Sequence, residues 1–174
     1  MKTVIALFLA LLFSFTAANA ATKKSEKNET VFLVGEITLD VAEHITSMDP
    51  KRIKTINLYS NGGDVLSAIA IARFIRKNGI ETRISKKGIC YSACTMLFQA
   101  GVKRYASRSS ELMYHYAYDV QTDRENQLWS IAMFTVLEEY GIKKSLIKQI
   151  RHGQEMYIDA GTSKIYNVVT NLEN

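Results

Sequence analysis

Twice in succession this chain runs from a short apolar strand through a glycine turn into a helix of small and apolar residues. That alternation narrows the fold to parallel strands covered by helices. The first passage is Ile53 to Tyr59, with Ile56 and Leu58 on a strand that stops at Ser60-Asn61-Gly62-Gly63. Beyond it, Val65, Leu66, Ala68, Ile69, Ala72 and Phe74 recur at helical spacing, with Asp64 as the natural N-cap and Lys77-Asn78-Gly79 closing the helix. The second passage is Thr82 to Ile84, a turn at Gly88, and a helix from Ser92 to Ala100 that ends at Gly101.

The flanking segments extend the pattern. Val31 to Gly35 is a continuous apolar run suited to a buried strand, and a helix over about Leu39–Met48 is stopped by Asp49-Pro50. Arg104-Tyr105 and Leu112 to His115 are two further strands. A long amphipathic helix covers about Asn126–Tyr140 and ends at Gly141, a last helix lies near Lys144–Arg151, and a short strand is expected at Asn167–Val169.

The N-terminus has a different logic. Met1-Lys2, an apolar run from Val4 to Phe15 and the small-residue box Ala18-Asn19-Ala20 follow the three-part plan of a secretory signal peptide, so residues 1–20 are expected to be removed on export. The apolar run is shorter than the ~20 residues that cross a bilayer, so no stable membrane anchor is expected after cleavage. Residues 21–29 are polar throughout and form a flexible leader. Residues 30–174 then suffice for one α/β domain and not two.

Charge adds little to the functional reading. The 22 Lys and Arg exceed the 17 Asp and Glu by +5, and the surplus is scattered rather than gathered into a stripe, which argues against a nucleic-acid partner. Cys90 and Cys94 with His115 and His152 lack the spacing of a zinc site, so no metal or other cofactor is expected.

A nucleophilic serine needs a base, backbone N–H donors for an oxyanion, and an exposed position at the end of an element. Gly62-Gly63 lies at a strand-to-helix turn, where the absence of a side chain lets a carbonyl approach the backbone. Ser92 opens the second helix, leaving the N–H of Ala93 unpaired there, and His115 ends a strand downstream. Taken singly, Ser92 is also what a plain helix cap looks like, and His115 could be an ordinary strand histidine.

At these segments the sequence resembles a known family. Phe32 to Ile37, Asn57 to Gly63, Gly88 to Ala93, Ala100 to Ala106 and Leu112 to His115 are similar, in order, to blocks of the proteolytic subunit of the Clp protease, and more distantly to signal peptide peptidases and other ClpP/crotonase-fold proteins. The resemblance implies a spiral of ββα units in a single domain and a serine peptidase or related hydrolase, and the export signal, with no ATPase motif in the chain, makes it an exported and ATP-independent one. It makes Ser92 the nucleophile, His115 the base, and the backbone of Gly63 and Ala93 the oxyanion hole. Aligning Glu155 to Ala160 on the family's C-terminal block puts Glu155 in the place of the catalytic aspartate, with Asp119, Asp123 and Asp159 as competitors. Peptide or protein substrates, a homo-oligomer and a periplasmic or secreted location follow from the same reading.

Two departures matter. Asn61 replaces the proline usual before the glycines. Cys90 and Cys94 flank Ser92 at −2 and +2, an arrangement foreign to the cytosolic peptidase but similar to predicted periplasmic ClpP-like proteins. In an exported chain this pair is a candidate disulfide that would fix the nucleophile turn. Two other readings stand beside the peptidase: a catalytically inactive ClpP-fold peptide-binding or assembly module, and a thiol–disulfide protein using the two cysteines.

Overall fold

The computed structural model describes residues 28–119 and 121–174. The signal peptide read at residues 1–20 and the leader up to residue 27 lie outside the described residues. Within them the chain folds as an α/β domain built on two main sheets.

The larger sheet has five strands, all paired in parallel, in the order β1 (Glu29–Val34), β2 (Ile53–Tyr59), β3 (Glu81–Ile84), β5 (Arg104–Ser107) and β10 (Asn171–Glu173). The smaller sheet contains β4 (Ile89–Tyr91), β6 (Glu111–Tyr114) and β9 (Met156–Asp159), with β4 and β6 parallel and β9 antiparallel to β6. Successive strand pairs therefore divide between the sheets: β3 and β5 enter the first, while β4 and β6, which follow them directly, enter the second. That division is the ββα spiral that the family resemblance implies.

The helices are α1 (Leu39–Ser47), α2 (Val65–Lys77), α3 (Cys94–Ala100), α4 (Gln127–Glu139), α5 (Lys144–Ile147) and α6 (Ala160–Ser163). α2 starts where its sequence says it should, because the Asp64 carboxylate accepts from the N–H of Ser67 at 2.7 Å. Its Ala68, Ile71, Ala72 and Ile75 are fully buried. Every residue of α3 is buried, so this helix runs through the core, and small side chains such as Ala100 let its neighbours approach. Thr82 shows how a polar side chain enters such packing: wholly buried, it donates its hydroxyl to the carbonyl of Phe98.

The C-terminal third departs from expectation. The helix expected up to Arg151 stops after Ile147, and β9 and the short helix α6 follow in a stretch with no clear periodicity. The strand expected at Asn167–Val169 lies at Asn171–Glu173 instead. Val168 and Val169 are buried as their apolar character implies, but in a loop pinned by a buried cation. Arg104 donates from Nε to the carbonyl of Val168 at 2.6 Å, from Nη1 to Gly101, and from Nη2 to Asn167. Burial pulls its pKa down to about 10, the nearby Arg76 acting the same way. The leader also ends early, since β1 already begins at Glu29.

Because Arg104 satisfies the buried carbonyls of Val168 and Gly101 and shares that of Asn167 with Gln99, Arg104→Leu is expected to destabilise the domain by about 3 kcal/mol, read as a lower urea midpoint at unchanged slope.

Candidate functional site

Parallel pairing in the small sheet creates the site. β4 and β6 run side by side in register, Tyr91 opposite Met113, so the residues just past their C-terminal ends emerge together. Those residues are Ser92 and His115. Both line one cavity of about 480 Å³, with Glu36, Asn61, Gly63, Asp64, Val65, Ala117, Tyr118, Asp119 and Trp129. Parallel sheets place ligand sites at such C-terminal ends.

Ser92 is not the first residue of a helix, as its sequence position suggests. It has φ +53°, in the left-handed region that a side chain rarely adopts, and α3 begins two residues later at Cys94. This elbow is held from several directions. The Ser92 N–H donates to the carbonyl of Met113 at 2.8 Å, and the Ser92 carbonyl accepts from both the N–H and the hydroxyl of Thr95. Cys90 and Cys94 are joined by a disulfide across the elbow, with Cα atoms 5.3 Å apart. The two half-cystines are wholly buried, which withdraws them as zinc ligands and argues against thiol exchange, which needs access.

The glycine turn after β2 presses on the same elbow. Gly62 has φ +103°, and a Cβ built on it would lie 2.8 Å from the Cβ of Ser92 and 2.9 Å from the carbonyl oxygen of Tyr91. Gly63 has φ +143°, and a Cβ there would meet the carbonyl oxygen of Ile37 at 2.3 Å. Two chain segments thus pass so closely that neither glycine position tolerates a side chain. Asn61, where proline is usual, leaves the turn intact: Ser60 pairs with β4 on one side, and Ile37 brackets Gly63 on the other. Among the described residues, the N–H groups of Gly63 and Ala93 have no backbone acceptor.

His115 is half-buried, and its Nδ1 is hydrogen-bonded to the backbone carbonyl of Tyr116. A carbonyl only accepts, so Nδ1 carries the proton and Nε2 keeps its lone pair. The carboxylate expected at this nitrogen is elsewhere. Glu155 is exposed and accepts from the hydroxyl of Tyr157 at 2.7 Å, so the structure does not bring it to His115. It lies next to β9, whose antiparallel pairing with β6 sets Met156 opposite Tyr114, and its side chain follows Tyr157 outward.

The competitors fare differently. Asp159 caps α6 through Thr162, and Asp123 sits in the turn of a small hairpin, β7 (Tyr118–Asp119) and β8 (Arg124–Glu125). Asp119 lines the cavity, but its carboxylate accepts from the N–H groups of Thr122 and Gln121 and from the Thr122 hydroxyl. These bonds hold its pKa below the usual carboxylate range. Among the described residues, no carboxylate is hydrogen-bonded to His115, and no hydrogen bond joins Ser92 Oγ to it.

The cavity walls were largely invisible in the sequence. Tyr118 and Trp129 supply aromatic surface, and Glu36, Asp64 and Asp119 supply negative charge. Asp64 was legible only as a helix cap. Trp129 follows from the Asn126 cap that starts α4 next to the site, a signal that marks a helix start but not what it faces.

This combination of a ββα spiral, a strained serine at a strand-to-helix elbow and a histidine on the adjacent strand end defines a serine-peptidase class of fold. The chain belongs to the Clp protease family, whose sequence model matches residues 16–148. That span includes Ser92 and His115 and ends before Glu155. Among solved structures, it is similar to a mutant of ClpP1 from Listeria monocytogenes, with 20% identity and a TM-score of 0.65 over 83% of this chain and 91% of that one. It is also similar to the ClpP protease catalytic domain from Plasmodium falciparum, with 19% identity and a TM-score of 0.65 over 83% and 84%. A search among curated proteins finds no match. The family is one of serine peptidases, which form oligomers and act on peptide substrates.

Two substitutions test the elbow. Gly62→Ala is expected to cost about 2 kcal/mol of stability and to slow acylation of Ser92 about 100-fold, read by urea unfolding and by fluorophosphonate labelling. Replacing both cysteines by alanine is expected to cost about 2 kcal/mol, and reductant should then leave the variant's unfolding curve unchanged while lowering that of the parent.

Proposed function

We propose that the protein is an exported serine peptidase that works without an ATP-driven partner, with Ser92 as nucleophile and His115 as general base. The observation that carries this reading is the left-handed Ser92, exposed to a cavity that His115 also lines, beside two backbone N–H groups that have no backbone acceptor among the described residues. Such strain at a polar residue gathers at functional sites because the surrounding structure must hold it there.

The chemistry follows from that arrangement. Nε2 of His115 takes the proton as Ser92 Oγ attacks the scissile carbonyl, and the N–H groups of Gly63 and Ala93 receive the developing oxyanion. The imidazolium then protonates the leaving amine. Water, deprotonated by the same nitrogen, hydrolyses the acyl-enzyme and releases Ser92. Extended peptide would lie along the backbone after Gly63, adding a strand to that edge. Cationic side chains near the scissile bond suit walls that carry Glu36, Asp64 and Asp119.

Export rests on the signal-peptide pattern of residues 1–20, and the Cys90–Cys94 disulfide suits an oxidising compartment such as the periplasm. Outside the cytosol no ATP-driven unfoldase is at hand. Leu128 and Ile131, 68% and 63% exposed one turn apart on α4, offer an apolar stripe for self-association.

One observation favours the second reading, an inactive peptide-binding module: His115 is oriented by a carbonyl rather than by a carboxylate. Fluorophosphonate labelling of the purified protein separates the two. Labelling is expected for the parent and lost in Ser92→Ala and His115→Ala; a folded parent that does not label at all would establish the binding module instead.

A further inference from the structure

Besides a tilted ring contact with Tyr118, the His115 ring is hydrogen-bonded, among the described residues, to a backbone carbonyl, so it is as well oriented as the segment that carries that carbonyl. The segment here is His115-Tyr116-Ala117, and it is fastened at Tyr116 and at Ala117. The N–H of Ala117 donates to the hydroxyl of Ser130 at 2.9 Å, and its carbonyl accepts from the N–H of Asn126 at 2.7 Å, which ties it to the first turn of α4. The ring of Tyr116 lies between two others. Phe134 of α4 meets it edge-on with centroids 5.1 Å apart, and His152 stacks on it at 3.9 Å with planes 28° apart.

His152 comes from the loop before β9 and is mostly exposed, with its side chain 65% accessible, so no core packing fixes it. Glu125 fixes it instead. One carboxylate oxygen bonds Nδ1 of His152 and the other accepts from the N–H of Gly153, a two-point grip on the loop from β8. The bond to His152, aided by Gly153, holds the Glu125 carboxyl below the ordinary carboxylate range. Glu125 is therefore an anion that grips His152 without touching the base.

We propose that Glu125 and His152 form the positioning unit of the base: Glu125 clamps His152, His152 stacks on Tyr116, and the Tyr116 carbonyl holds Nδ1 of His115. The unit takes over, indirectly, the orienting task that a carboxylate performs when it contacts histidine directly. Neither residue touches substrate or the reacting atoms. The inference rests on the role of His115 proposed above, and its test separates the two.

The experiment compares the parent with His152→Ala, His152→Phe, Glu125→Ala and the Glu125→Ala/His152→Ala pair, by fluorophosphonate labelling rate and by the ring ¹⁵N spectrum of His115 at about pH 8.5, where imidazoles are neutral. The parent is expected to show the Nδ1–H tautomer. His152→Ala and Glu125→Ala are expected to lose that bias and to label about 10- to 100-fold more slowly. His152→Phe, which keeps an aromatic face on Tyr116, should retain both within about threefold, and the double variant should be no slower than the slower single one.

Wild-type labelling rates and an unchanged His115 spectrum in His152→Ala and Glu125→Ala would overturn the proposal. A His152→Phe variant as impaired as His152→Ala would overturn the stacking role. Should the parent not label at all, the peptidase reading fails, while the ring spectrum still decides whether the pair orients His115.

Discussion

The parallel pairing of β4 with β6 is the constraint on which the site depends. Parallel neighbours end on the same side of a sheet, and this register delivers Ser92 and His115 to one cavity although twenty-two residues separate them in the chain. The pairing exists because β3 and β5 lie in the large sheet while the strands that follow them cross into the small one. Had β4 and β6 stayed with their predecessors, serine and histidine would emerge elsewhere.

The elbow at Ser92 adds a local conflict to that arrangement. A non-glycine residue at positive φ costs about 1–2 kcal/mol, and the close pass of Gly62 leaves the serine no room to relax. A disulfide closing so short a loop contributes about 2 kcal/mol in the chain-entropy view, the same size as the strain. The bridge between Cys90 and Cys94 therefore offsets the strain at the residue it spans. Hydrogen bonds from the Ser92 N–H to Met113 and from Thr95 to the Ser92 carbonyl add direction to that restraint, so the hydroxyl that faces the cavity sits on a rigid mount.

Orientation of the histidine is solved differently. Nδ1 meets a neutral carbonyl, which fixes the tautomer but supplies less electrostatic support to an imidazolium than a carboxylate in contact would. The negative charge around the cavity comes instead from Glu36, Asp64 and Asp119, and Glu125 stands outside its lining; the bonds that Asp119 and Glu125 make to their own neighbours lower their pKa values. The site is thus an aromatic and acidic pocket around a conventional pair, with its third partner spread over a loop.

Much of the fold was legible in the sequence because it is local. The Asp64 cap, the helical spacing from Val65 to Phe74, the buried strand Ile53–Tyr59 and the glycines after it are decided by neighbours within a few residues, and one block of the resemblance to the Clp peptidase, Asn57 to Gly63, lies among them. The C-terminal third was not legible: Val168 and Val169 have strand-like character, yet Arg104, from another part of the chain, holds them in a loop and pushes the strand to Asn171. Glu155 could be aligned on a family position, but the direction of its side chain is set by β9 pairing antiparallel with β6 and by the Tyr157 hydroxyl. The sequence by itself determined which serine and which histidine stand at the ends of their elements. Only the tertiary structure decided what holds them, because the backbone carbonyl of Tyr116, the disulfide closure and the contact of Gly62 with Ser92 depend on distances between segments that no local pattern encodes.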